Sequence, residues 1–150
     1  MDFDNFRKEL KCKIFPLNTL KDYKFVVVCS NYKGKWVFSK HKQRDTWETQ
    51  GGHIEKDEQP LDSAKRELFE ESGIIDAILY PVCDYDGYTL ESSSTGVVYL
   101  AVVNSIGSFP ESEMEKIDFF DDIPNNFTYP NVTPLLVKEA EKVLTYLNKK

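Results

Sequence analysis

One segment restricts this chain more than any other. Residues 60–73 open with a proline, close with a glycine and carry Glu67, Glu70 and Glu71 between them. Pro60 suits the first helical position and Gly73 the left-handed stop just past the end, so the spacing predicts a helix over 60–71. Glu67, Glu70 and Glu71 then stand at i, i+3 and i+4, which puts three carboxylates on one helical face. Like charges this close repel, so a sequence selected for helix stability alone would avoid the arrangement. A hard divalent cation removes the conflict, because Mg²⁺ takes oxygen ligands and uses a few carboxylates plus waters and substrate phosphates. Leu61, Ala64 and Leu68 lie on the neighbouring face and are expected to anchor the helix to a core, turning the acids into a cleft. Taken alone, the three glutamates also fit a solvated acidic face.

The rest of the pattern alternates strands and helices. Lys24–Ser30 is a β-branched run of the kind buried in a sheet. Residues 31–34 (Asn-Tyr-Lys-Gly) read as a turn, and Lys35–Ser39 returns as the second strand of a hairpin. Ile74–Asp84, Thr95–Asn104 and Lys116–Phe120 read as further strands. Thr133 as N-cap and Pro134 at N1 open a last helix, whose Leu136, Ala140, Val143, Leu144 and Leu147 form one apolar stripe. The order predicts a mixed α/β fold with helices packed on a sheet, in a single domain over residues 1–150 with no repeat or linker.

Composition bounds the function class. The 150 residues are 41% hydrophobic and carry a net charge of −6, which argues against a general nucleic-acid coat. Residues 1–50 sum to +5, residues 51–100 to −8 and residues 101–150 to −3. That asymmetry fits either differently solvated faces or an acidic cation site set against basic side chains for an anionic substrate. No apolar run approaches a membrane span, and the acidic start lacks the pattern of a secretory leader. Cys12, Cys29 and Cys83 suit neither a disulfide framework nor a CxxC metal site, so a reducing cytoplasm is the expected compartment.

The acidic helix belongs to a longer pattern. Gly52, Glu58, Arg66, Glu67, Leu68, Glu70, Glu71, Gly73 and Ile74 match G-x5-E-x7-R-E-U-x-E-E-x-G-U, with U aliphatic, at every specified position. Average residue frequencies make a chance match somewhere in the chain an event on the order of 10⁻⁷. The pattern resembles the Nudix box, here residues 52–74, and the chain is similar to Nudix hydrolases. The resemblance implies an α/β/α sandwich with a mixed sheet, the box's loop–helix–loop and a C-terminal helix. It also implies Mg²⁺-dependent hydrolysis, with Mn²⁺ as a substitute, of a nucleoside diphosphate linked to another moiety. By the same resemblance, Glu70 and Glu71 match the metal-binding pair. Glu67 matches the glutamate that binds a further metal or orients or deprotonates water. Arg66 matches the arginine that orients a box glutamate, Glu58 an orienting partner, and Gly51 a residue whose carbonyl is a metal ligand. The nucleophile is then water activated by metal, and His41 and His53 are not needed. In some members the general base is a loop glutamate, for which Glu91, Glu111, Glu113 and Glu115 are all candidates.

One departure and one late segment bear on the substrate. Gln50 replaces the proline that many relatives carry before the two glycines, which removes a fixed φ and adds a polar side chain to an expected loop. The markers for dinucleoside polyphosphates and ADP-ribose are absent, since Glu91 and Thr89 occupy those positions. Tyr129-Pro130-Asn131 is similar to a base-pocket step of MutT-type nucleoside-triphosphate pyrophosphohydrolases, with Asn131 in place of an acid. A tyrosine ring stacks on a purine and an Asn amide reads a base edge. The same residues also fit a loop packed before the last helix. Arg44, with Lys40 and Lys42, is a candidate for terminal phosphates. The leading expectation is a (deoxy)nucleoside triphosphate as substrate. The alternatives are a non-catalytic ligand-binding or regulatory domain, or a hydrolase of nucleotide sugars, dinucleoside polyphosphates or capped RNA. The expected partner is a nucleotide-type small molecule, not a membrane or nucleic acid, and a homodimer stays open.

Overall fold

The computed structural model describes residues 2–149. Its elements run α1 (Phe3–Glu9), β1 (Lys11–Phe15), β2 (Phe25–Tyr32), β3 (Lys35–His41), β4 (Trp47–Glu48), β5 (Gln50–His53), α2 (Pro60–Ser72), β6 (Ile74–Tyr88), β7 (Ser93–Ile106), β8 (Met114–Phe120) and α3 (Thr133–Asn148). The sheet has the order β1-β6-β7-β2-β3-β4, with β5 also paired to β2 and β8 to β3. β2 runs parallel to β7, and the other pairings are antiparallel. One edge of β2 is shared. Its first half pairs with β5, Val27 opposite Gly51, and its second half with β3, Ser30 opposite Val37. The sheet therefore forks at the middle of β2, and the end of β5 opens beside α2.

β2 and β7 are buried on both faces because every second residue serves a different core. Val26, Val28, Val97, Tyr99 and Ala101 pack with Ala64 and Leu68 of α2. Cys29, Val98 and Leu100 pack with Leu136, Val137 and Ala140 of α3. The period-2 pleat thus feeds two helix-on-sheet layers, as the mixed α/β expectation required.

Several local expectations change. Leu61 does not anchor α2; it lies in the first turn and stays exposed, leaving the contact to Ala64 and Leu68. Thr133 is not the N-cap. Val132 holds that place, and the amides of Val132 and Thr133 already donate to the Tyr129 carbonyl, so the last helix needs no side-chain cap. Residues 50–53 form a strand rather than a loop, because β2 offers them a free edge. α1 and β1 carry no periodicity long enough to announce them. β1 exists through its pairing with β6, Lys11 opposite Tyr88.

Candidate functional site

α2 brings its acids to the place where β2 divides. The helix ends as expected: Gly73 adopts φ 79° and its N–H donates to the Phe69 carbonyl at 2.8 Å. The three glutamates share a face but not an environment. Glu71 is only 6% exposed, and its Oε1 accepts the Gly51 N–H at 2.9 Å. Burial pushes its carboxyl up to about 9, against the pull of the Gly51 N–H, and neighbouring Glu67, Glu48 and Glu113 add to the rise. Glu67 is half-buried and is also raised, first by burial and against Arg66. Glu70 keeps 45% of its side chain exposed.

Arg66 ties this face to the segment before the helix. Its Nε and Nη2 donate to the two oxygens of Glu58 at 2.8 and 3.0 Å, a bidentate pair. Nη1 donates to Glu67 at 2.6 Å and to Glu70 at 3.0 Å, and Nη2 reaches the His53 carbonyl at 3.2 Å. The guanidinium holds the Glu58 carboxyl down at about 2. Glycine is required at position 51, where a Cβ would collide with the Val26 carbonyl, while a Cβ on Gly52 would push the Glu67 carboxyl aside.

Gln50 sits in neither a loop nor solvent. It is fully buried; its Oε1 accepts from Ser30 Oγ at 2.7 Å and its Nε2 donates to Ser39 Oγ at 2.9 Å and the Val37 carbonyl at 3.3 Å. Ser39 Oγ in turn donates to the Glu71 carbonyl at 2.8 Å. The residue that replaces proline therefore links β2, β3 and the end of α2 through one amide.

A cavity of about 510 Å³ opens against Glu71, within the size range of small-molecule sites. Its polar lining includes Arg44, Glu48, Gly51, Gly52, Glu71 and Glu113, and its apolar lining Phe6, Leu10, Tyr85, Tyr129, Val132 and Leu136. Arg44 is held from two sides. Its Nη1 pairs with Glu48 Oε2 at 3.0 Å, and its guanidinium lies 4.3 Å from the centre of the Phe3 ring. His53 meets Phe25 at a tilt, with ring centres 4.2 Å apart.

The structure brings Gly51, Glu71, Arg44 and Tyr129 to one cavity, with Glu67 against Gly52 beside it; Arg66 and Glu70 stand off that lining. Asn131 does not join them. It is exposed, outside the cavity lining, and its Nδ2 donates to the Lys8 carbonyl at 2.7 Å. Of the four loop glutamates, Glu113 lines the cavity. Glu111 pairs with Lys42 and Glu115 with Lys40, so those lysines are committed too, and Glu91 lies on the exposed β6–β7 turn. Glu48, Phe6 and Leu10 are cavity residues that the sequence did not single out. A charged residue directly after Trp47 in a short extended run was the available hint for Glu48. For Phe6 and Leu10 there was none, since their neighbours come from the far end of the chain.

The donor set suits a hard cation. Glu67, Glu70 and Glu71 offer carboxylate oxygens beside a backbone stripped of Cβ atoms, and Glu71 is an acid whose burial opposes ionisation unless a positive charge arrives. Among the described residues no three His, Cys, Asp or Glu side chains stand together in a geometry that holds a metal ion. Arg66 holds Glu67 and Glu70, and Mg²⁺ completes its shell with water and phosphate rather than with a cage.

Comparisons with known proteins agree with this architecture. No curated protein matches the sequence. Among solved structures, the chain is similar to a point variant of the Bacillus subtilis pyrophosphohydrolase BsRppH, with a TM-score of 0.76 and 21% identity over 89% of this chain and 90% of that one. It is similar to a NUDIX-family hydrolase from Clostridium perfringens, with a TM-score of 0.65 and 24% identity over 85% and 99%. A UDP-X diphosphatase gives 0.69 and 18% over 90% and 68%. At these identities the likeness establishes the fold. The NUDIX domain model matches residues 20–143, more than four-fifths of the chain, and with the box 52–74 on the α2 loop–helix–loop the chain belongs to the NUDIX domain family as a Nudix hydrolase.

Proposed function

We propose that the chain is a Mg²⁺-dependent pyrophosphohydrolase that cleaves a nucleoside diphosphate linked to another moiety, with a (deoxy)nucleoside triphosphate as the leading substrate. The observation that carries this reading is Glu71: a carboxylate buried beside two glycines, in a cavity that also holds Glu48 and Glu113. Glu67, Glu70 and Glu71, with the Gly51 carbonyl, would hold Mg²⁺ or Mn²⁺, which supplies charge neutralisation for the diphosphate and acidifies water. Arg66 keeps Glu67 and Glu70 oriented while the loop before α2 stays tied to the helix through Glu58. Glu113, the one loop candidate on the cavity wall, takes the proton from the attacking water in this reading. Arg44 is the cation nearest at hand for a terminal phosphate, exchanging Glu48 for a phosphate oxygen. Tyr129 offers a ring for the base.

The test is a screen of nucleoside triphosphates, nucleotide sugars, dinucleoside polyphosphates and 5′-triphosphate or capped RNA, each with Mg²⁺ or Mn²⁺. Pyrophosphate and a nucleoside monophosphate released from a triphosphate support the reading. Turnover confined to another class moves the substrate assignment, and no release from any of them rejects the activity.

A further inference from the structure

Residues 3–15 precede the matched region 20–143, yet Phe6 and Leu10 line the cavity. α1 has seven residues and buries none of them, so it is too short to be stable alone and contributes little core. Leu10 packs against the α3-side core, whereas Phe6 is in neither core cluster. A phenylalanine left half-buried on a cavity wall gains little from folding by itself; it gains when something apolar covers it.

The position of α1 is set by the segment that carries Tyr129. Asn131 Nδ2 donates to the Lys8 carbonyl at 2.7 Å, and Arg7 Nη1 points at the Thr128 carbonyl at 3.5 Å. Phe3 meets Tyr129 edge-on, with ring centres 6.3 Å apart. Residues 128–131 thus carry one side of the apolar lining and clasp the other. Gly87 lines the cavity alongside Leu10.

We infer that α1 is a substrate-selecting wall: Phe6 and Leu10, together with Tyr129, form the surface on which the planar ring of a nucleobase packs. This rests on the proposed nucleotide chemistry and goes beyond it by assigning selection to a helix outside the matched domain. Asn131 then acts as a positioning residue that holds α1 at the right distance, rather than as a reader of the base. Arg44, which lines the cavity and pairs with Glu48, also meets α1 through the Phe3 ring.

The experiment compares binding of GMP, AMP and ribose 5-phosphate to the full chain with Mg²⁺ by titration calorimetry, alongside steady-state turnover of the best triphosphate. Stacking contributes roughly 1–3 kcal/mol per base, so the wild type should bind the monophosphates about 5-fold or more tighter than ribose 5-phosphate. Phe6→Ala should shrink that ratio at least about 3-fold, leave ribose 5-phosphate binding unchanged, and raise KM with kcat held, the pattern of lost uniform binding. Phe6→Trp should keep the ratio, and Leu10→Ala supplies a second reduction at a different wall position. An unchanged ratio in both alanine variants, or a wild type that binds ribose 5-phosphate as well as GMP and AMP, overturns the wall. A wild type that shows the ratio and its loss in Phe6→Ala but hydrolyses no nucleotide keeps the wall and rejects only the reaction. Turnover with an unchanged ratio rejects the wall alone.

Discussion

Replacing Gln50 by leucine tests whether the amide behind the glycines is structural. The side chain is fully buried and makes three polar contacts, to Ser30 Oγ, Ser39 Oγ and the Val37 carbonyl. Leucine has similar bulk, so packing loss is small and the cost falls on the partners. Ser39 keeps the Glu71 carbonyl as its acceptor. Ser30 loses the Gln50 oxygen as its acceptor and leaves a buried hydroxyl donor unpaired, which costs about 1–3 kcal/mol. For a chain of this size each kcal/mol moves Tm by roughly 2–4 °C, so Gln50→Leu should melt roughly 2–12 °C below the wild type. Urea denaturation should show the same loss in midpoint with an unchanged m-value. The double variant Ser30→Ala/Gln50→Leu removes the orphaned donor and should recover most of the loss, a coupling that a double-mutant cycle reads directly. A Gln50→Leu change within about 0.5 kcal/mol of the wild type, or no recovery from Ser30→Ala, would show that the amide does not hold the strands together.

Other outcomes follow from the acids and the cavity. Glu70→Gln and Glu71→Gln should each lower kcat at saturating Mg²⁺ by at least the roughly 10- to 100-fold that even an outer-shell partner of a metal site is worth, with the circular-dichroism spectrum unchanged; wild-type turnover in both rejects the metal assignment. In EDTA the stabilities of the wild type and Glu71→Gln should diverge with pH. Burial holds the Glu71 carboxyl near 9 against an unfolded value of 4.5, so the native state keeps a proton that the unfolded chain has lost. Wild-type stability then falls as pH rises through that window, by at most about 1.4 kcal/mol per unit, while Glu71→Gln does not titrate. Melting temperatures in EDTA at pH 5 and pH 8 should therefore show the variant gaining on the wild type, and a constant gap contradicts the burial argument. Glu58 has the opposite sign: Arg66 lowers its carboxyl to about 2, so its contribution is full above pH 4.5 and lost as pH falls towards 2. Glu58→Gln should be less stable than the wild type at neutral pH and converge with it in acid titrations. Tyr129→Ala should cut kcat/KM for purine nucleotides about 5- to 150-fold, and more than for pyrimidines, measured as a ratio within one preparation.

The helix that carries the site was legible because its signals are local. Pro60, Gly73 and the i, i+3, i+4 glutamates act within a few residues of one another, and the continuous apolar run of β2 reports burial on its own. What a side chain meets across the fold was not legible. Glu70 and Glu71 are adjacent in sequence, yet one stays exposed and the other is 6% exposed, because the Gly51 strand edge covers only the second. Gln50 looked like a weakened loop residue; pairing with β2 turned it into a buried link between strands 11 and 20 residues away in sequence. Asn131 carries an amide that reads as a base reader in sequence, and only the docking of α1 from the other end of the chain shows that it also holds the Lys8 carbonyl. Phe6 and Leu10 reached the cavity by the same route. Sequence alone determined the chemistry of the box and the elements that bear it, since those depend on spacing along one helix. Tertiary structure decided which carboxylate is buried, which loop glutamate faces the cavity and which apolar side chains line it, since those depend on strand register and on contacts between distant segments.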